Sequence, residues 1–364
     1  MHGYILIQGD DVKARMWRDA AKTFGVEIQT APGSAVYLPL RFLRHTLRRG
    51  RPKAVVFRYL NDYPQLWKTV CRAAAELLCV ALCYLFRVRI VWICHNVDRE
   101  SSCTFPLISR FRRSLIARRA AAILVTDDLL VDVARRYFPD RAARIETVQF
   151  GSYLRTTTGE ETRQFTRHVT EIVARWRQEV AEQDRLLMVG LCAGSPALKM
   201  EHYARIPELI AAARRAGIEL RMIVVGPIED FLKATAPEAL RFIQGDPRVS
   251  FTSGYVPIAE HEIAPFIDFY WRAYRDYSVP MSVYTAASVR KPILALNIGF
   301  LPKMVRAYRL GEVLEVDMSN IREALHRLRM WDAQNADRFL QMRSWTEGAR
   351  RLAVACGYEI ARAT

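Results

Sequence analysis

Short, mostly apolar runs alternate along this chain with longer stretches in which apolar residues recur at helical spacing. The runs at 3–8, 54–58, 89–93 and 122–125 predict strands, and the stretches 12–24, 38–48, 66–85 and 107–120 between them predict helices. A second series of strands is expected at 186–189, 221–225, 249–252, 266–270, 293–295 and 313–315. Its helices are expected at 202–215, 230–243, 281–289 and 303–309. Strands that are apolar on both faces, each followed by a helix, belong to parallel sheets covered on both sides. The segment 156–185 between the two series is polar, then helical and charged throughout. The expected organisation is therefore a first domain over 1–165, a second over 166–340, and a helical segment over 341–364 that crosses back to the first. Two doubly wound α/β domains facing one another would enclose a cleft, with ligands beyond the carboxyl ends of the strands.

Composition narrows the class. With 51% hydrophobic and 25% charged residues over 364 positions, the chain is globular rather than disordered. Its 54 Lys and Arg outnumber 38 Asp and Glu, and the resulting charge of +16 calls for an anionic partner. Nucleic acid is one such partner, but no helix-turn-helix, zinc-finger, RRM or Walker motif is present. Seven cysteines without CxxC or Cys/His spacing read as reduced thiols of a cytosolic protein. The longest apolar stretch, 77–86, is about half of the roughly 20 residues a spanning helix needs. No secretory leader is expected at the start of the chain, and the protein is expected to be soluble or monotopic. The pairs Asp10-Asp11 and Asp127-Asp128 precede helices and predict caps rather than metal ligands, so no metal site is expected.

Chemistry gathers at strand ends. The strand at 89–93 runs into Cys94-His95-Asn96-Val97-Asp98-Arg99-Glu100, and the one at 54–58 into Tyr59-Leu60-Asn61-Asp62. Buried His-Asn pairs that satisfy loop backbone, and Asp turns before Tyr-Pro, have the same appearance. VWICHNVDRE resembles the His-Asn motif in the N-terminal domain of GT-B glycosyltransferases, especially bacterial enzymes that build exopolysaccharide on a polyprenyl-diphosphate lipid. The resemblance implies that Asn96 and Asp98 contact the acceptor, and makes Asp62, His95, Asp98 and Glu100 candidates for the base. Asp62 or Glu100 is the preferred base, with His95 beside it. The Pro-His-Glu continuation usual in the family is reduced here to Glu100.

The second series carries further matches. Leu186-Leu187-Met188-Val189-Gly190 with Lys199 resembles the family's strand-end glycine and phosphate-approaching lysine, at longer spacing. Gly226 after Val224-Val225 and Tyr255 after Gly254 resemble positions beside the nucleotide. The segment 268–292 resembles the nucleotide-sugar signature, with Tyr274 and Arg275 as its Tyr-Lys/Arg pair. Ser278, Val279, Pro280, Met281 and Ser282 would form the loop and helix start that hold the diphosphate. Arg275 would grip the phosphates and act in catalysis. Retaining relatives carry two glutamates here, replaced by Tyr277 and Thr285, so the resemblance points to inverting, metal-independent transfer.

Arg41, Arg44, Arg48 and Arg49, and again Arg112 and Arg113, lie in basic stretches laced with Phe and Leu, which predicts docking on an anionic membrane. Together these features imply a GT-B glycosyltransferase with no cofactor beyond its UDP- or GDP-sugar donor and with a lipid-diphosphate-linked saccharide acceptor. It would be cytoplasmic, on the inner face of the plasma membrane. A non-catalytic sugar-nucleotide-binding protein and a nucleic-acid-binding protein are the alternatives.

Overall fold

The computed structural model describes residues 3–154, 159–181, 185–197 and 200–360, in which the apolar runs become two sheets of six parallel strands. The chain divides into two units, described separately.

The first unit comprises Met1–Gly151, Tyr277–Val279 and Arg343–Thr364. Its elements run β1 (Ile5–Gln8), α1 (Val12–Ala21), β2 (Ile28–Ala31), α2 (Leu38–Arg49), β3 (Ala54–Phe57), α3 (Leu66–Leu85), β4 (Arg89–Cys94), α4 (Pro106–Arg119), β5 (Ala122–Val125), α5 (Val131–Tyr137) and β6 (Ile145–Thr147). The strand order is β2-β1-β3-β4-β5-β6. The order reverses between β1 and β3, whose registers match Ile5 to Ala54 and Ile7 to Val56. Two strands escape the sequence reading, the short edges β2 and β6, because IQTA and IET carry too few apolar residues to stand out. Asp11 and Asp127 act as caps, accepting from the amides of Ala14 and Leu129.

The second unit comprises Ser152–Asp276 and Pro280–Met342. It begins with α6 (Glu160–Ala181), β7 (Leu186–Ala193), α7 (Ile206–Arg215), β8 (Ile218–Gly226), α8 (Glu229–Thr235), α9 (Pro237–Gly245), β9 (Val249–Ser253) and α10 (Glu260–Ile263). It continues with β10 (Phe269–Arg272), α11 (Met281–Ser288), β11 (Ile293–Leu296), α12 (Leu301–Tyr308), β12 (Gly311–Leu314), α13 (Ile321–Arg329) and α14 (Gln334–Gln341). The order β12-β11-β10-β7-β8-β9 reverses between β7 and β10. The expected helix over 230–243 is two helices, because Pro237 has no amide to continue the first and opens the second. The strand expected at 266–270 lies further on, after a 3₁₀ turn at Ala264–Phe266. The core is the apolar layer between sheet and helices, built on Met222, Val224, Phe269 and Trp271.

After Met342 the chain rejoins the first unit. Its last helix, α15 (Trp345–Ala355), is capped by Ser344, which accepts from the Glu347 amide. Trp345 packs its ring against Trp17 and Phe150.

Candidate functional site

In open parallel sheets ligands bind at the strand ends where the order reverses, and the second unit has a pocket of about 180 Å³ there. Leu191 and Ala193 of β7, Val225 and Gly226 of β8, Tyr270 and Arg272 of β10, and Met281, Ser282 and Thr285 of α11 contribute to its lining. Gly226 has φ +151°, and a Cβ there would run into the Gly194 carbonyl, so the strand ends flush with the pocket wall only as glycine.

Among the described residues, the cation that lines the pocket is Arg272. It is 98% buried, donates from Nη1 to the carbonyl of Trp271 (2.7 Å) and from Nε to Ser282 Oγ (3.0 Å), and Nη2 has no partner among the described residues. Ser282 stands at the start of α11, where unpaired amides and the positive end of the helix dipole favour anions. The Tyr270 hydroxyl beside it is buried without a hydrogen-bond partner among the described residues, and burial pushes its pKa up. Behind Arg272, burial and then the guanidinium charge push His202 down to about 3, so this ring is neutral.

Of the residues expected to hold the donor, Gly226, Tyr255, Met281 and Ser282 line this pocket. The others lie elsewhere. Gly190 sits inside β7, where a Cβ would press on Met222 and Phe269, so its role is sheet packing. Arg275 is exposed and salt-bridged to Glu201, and Tyr274 is buried against His202. Pro280 is the N-cap residue of α11. Ser278 and Val279 belong to the first unit, where Ser278 pairs with Asn96 and the Tyr277 carbonyl accepts from the Val97 amide (3.0 Å). Lys199 lies outside the described residues. Sequence reasoning missed Arg272; its signal was a lone cation closing an otherwise apolar strand, FYWR.

The first unit gathers its polar groups at its own reversal point. Asp11, at the head of α1, accepts from Arg58 Nη1 and Nη2 (2.8 and 3.0 Å) and from the Tyr59 hydroxyl (2.9 Å). Burial opposes ionisation of Asp11, but these donors hold its pKa down at about 2. Tyr59 stacks on His95 with ring centroids 4.4 Å apart. His95 is buried, and its Nε2 has no hydrogen-bond partner among the described residues. Burial, Lys13 and Arg58 together push its pKa well below 6.5, so it is a neutral imidazole at pH 7. Lys13, 4.6 Å above the Phe150 ring, is brought down to about 8 by burial and by Arg58, against the pull of Asp11.

Several sequence expectations are corrected here. Asp62 is buried and uses both carboxylate oxygens, Oδ1 for Arg112 (2.8 Å) and Oδ2 for the Phe105 amide (2.9 Å). Glu100 is buried too, accepting from Arg113 (2.5 Å) and from the Leu60 amide. Both carboxylates are engaged as structural anchors. Arg112 and Arg113 are their partners, 99% and 93% buried, and so cannot face a membrane. Asn96 donates to Ser101 Oγ (2.7 Å), and Asp98 accepts from the Tyr277 amide (3.2 Å), so both hold the loop in place.

No family model matches the sequence, and no curated protein matches it significantly. Solved structures do match in fold. Anabaena HepE in complex with UDP and glucose aligns with TM-score 0.61 at 14% identity, over 97% of this chain and 99% of that one. WaaG, a glycosyltransferase involved in lipopolysaccharide biosynthesis, aligns with TM-score 0.57 at 14% identity over 97% and 100%. The catalytic domain of starch synthase IV from Arabidopsis thaliana, bound to ADP and acarbose, aligns with TM-score 0.63 at 10% identity over 98% and 99%. The fold is GT-B. Its two Rossmann-like units account for the two reversal points described above.

Proposed function

We propose that this chain is a glycosyltransferase that takes its sugar from a nucleoside-diphosphate donor, UDP- or GDP-linked. The observation that carries this reading is Arg272, a buried cation beneath the first turn of α11 in a pocket at the sheet's reversal point. A departing nucleoside diphosphate gains negative charge, and a fixed guanidinium with a helix N-terminus stabilises it without reorganisation. HepE, of like fold, was crystallised with UDP and glucose.

The first unit would hold the acceptor. His95 is the group we propose as base for an inverting, metal-independent transfer, because among the sequence candidates its proton-accepting nitrogen is not engaged by another described residue. Holding donor and acceptor in line supplies much of the acceleration in such reactions. We take the acceptor to be a lipid-diphosphate-linked saccharide in exopolysaccharide assembly, with the protein peripheral on the inner face of the membrane. Support comes from the sequence resemblance and from exposed Arg44, Arg48 and Arg49 on α2. No helix among the described residues is long and apolar enough to cross a membrane.

The test is thermal-shift titration with UDP, GDP, ADP, dTDP and CMP. One nucleoside diphosphate is expected to raise the melting temperature of the wild type and to lose that effect in Arg272→Ala. His95→Ala should keep the shift and stop transfer. Equal shifts in wild type and Arg272→Ala would overturn the donor assignment.

A further inference from the structure

The helix α3 is inside out. Its sequence, LWKTVCRAAAELLCVALCYL, has charges at Lys68, Arg72 and Glu76. Two of these face inward: Arg72 is 7% and Glu76 1% exposed. Most of the large apolar side chains face outward instead, with Trp67 64%, Leu78 53% and Leu85 75% exposed, and Val70, Leu77 and Tyr84 beside them, while Val80 is buried. A helix on a water-facing surface shows the opposite arrangement. Most of the exposed large hydrophobics among the described residues lie on α3 and its flanks, including Leu40 and Leu47 of α2 and Leu107 and Phe111 of α4.

We infer that this face of α3 inserts into the headgroup and upper acyl region of an anionic lipid bilayer, with α2 and α4 as its charged margins. α2 and α4 both pack against α3. Arg44 and Arg48 on one side and Arg110 and Arg118 on the other are exposed, and no acid among the described residues pairs with them. The three helices hold a single acid, Glu76, and it is buried. Apolar residues inside a rim of arginines match a bilayer surface, where the side chains enter the acyl boundary and the cations meet lipid phosphates. Trp67 and Tyr84 stand near the two ends of the helix, about 25 Å apart at 1.5 Å per residue, and such amphipathic rings settle at headgroup depth. Arg119 donates to the Tyr84 hydroxyl (2.7 Å), placing a cation at that level. A second copy of the chain fits less well. A two-fold contact would set the same patch against itself and bring like arginine rims together.

This deepens the membrane reading above but stands apart from the donor pocket, so the two can fail separately. The experiment is co-sedimentation with phosphatidylglycerol and phosphatidylcholine vesicles at 0.1 M and 1 M salt, where the Debye length falls from about 10 to 3 Å. Wild type is expected to bind phosphatidylglycerol vesicles and to stay largely bound at high salt, with a lipid-induced blue shift of tryptophan emission that disappears in Trp67→Phe. Leu78→Glu, at an exposed site, should keep its melting temperature and its nucleotide-induced shift while binding falls at least tenfold. Three results would overturn the inference: no vesicle binding, binding abolished by salt and unchanged in Leu78→Glu, or a concentration-dependent dimer lost in Leu78→Glu without vesicle binding.

Discussion

Lys13 and His95 are shaped by the same small neighbourhood, and its sign is legible in titration. Both side chains are disfavoured as cations because they are withdrawn from water beside Arg58. Lys13 gives up its proton at about pH 8 in the folded chain but at about 10.5 in an unfolded one. Its charge therefore costs stability below pH 8, and the cost is relieved as pH rises from 8 towards 10.5. Lys13→Met should be more stable than wild type at pH 7, with the difference gone near pH 10; urea midpoints at the two pH values check this. The depressed His95 pKa likewise predicts that transfer rates stay level as pH falls from 7.5 to 6. A steep loss centred on pH 6.5 would mean that the base is another group.

At the scale of elements, α3 and α4 are joined by charge rather than by apolar contact alone. Glu76 accepts from Arg72 (3.0 Å) and twice from Arg112 (2.8 Å), and Arg112 reaches on to Asp62. Removing one member of such a buried network strands the others, which typically costs about 3–5 kcal/mol. Arg112→Ala should therefore lower the urea midpoint strongly, while Arg118→Ala on the same helix should stay within about 0.5 kcal/mol of wild type. Equal, small effects would return Arg112 to the surface role expected from sequence. The signal was present in α4: Ser109, Arg112, Arg113, Ile116 and Ala117 recur at helical spacing as one buried stripe. Composition obscured it, because a run of arginines looks like a surface.

Across the whole molecule, the last segment belongs to the first unit although it follows the second in sequence. Arg343 is buried on Asp127 (2.9 Å), and Trp345 completes the aromatic group of Trp17 and Phe150. Ending the chain at Met342 should unfold the first unit while leaving the nucleotide-induced thermal shift of the second. Calorimetry of the truncated chain checks this, and loss of both together would show that the donor pocket depends on the first unit.

The sequence by itself determined the elements that bury apolar surface: the central strands, the long helices and the alternation that makes both sheets parallel. Hydrophobic burial is non-directional and repeats at fixed spacing, so it can be read along one chain. It also gave the strand ends at His95 and Gly226 as candidate places of chemistry. Tertiary structure alone decided which charges meet. Asp62 and Glu76 find Arg112 across 50 and 36 positions, Arg272 rather than Arg275 reaches the pocket, and α3 turns its charges inward. A charge's role depends on what desolvates and pairs it, and those partners come from distant elements brought together only by the fold.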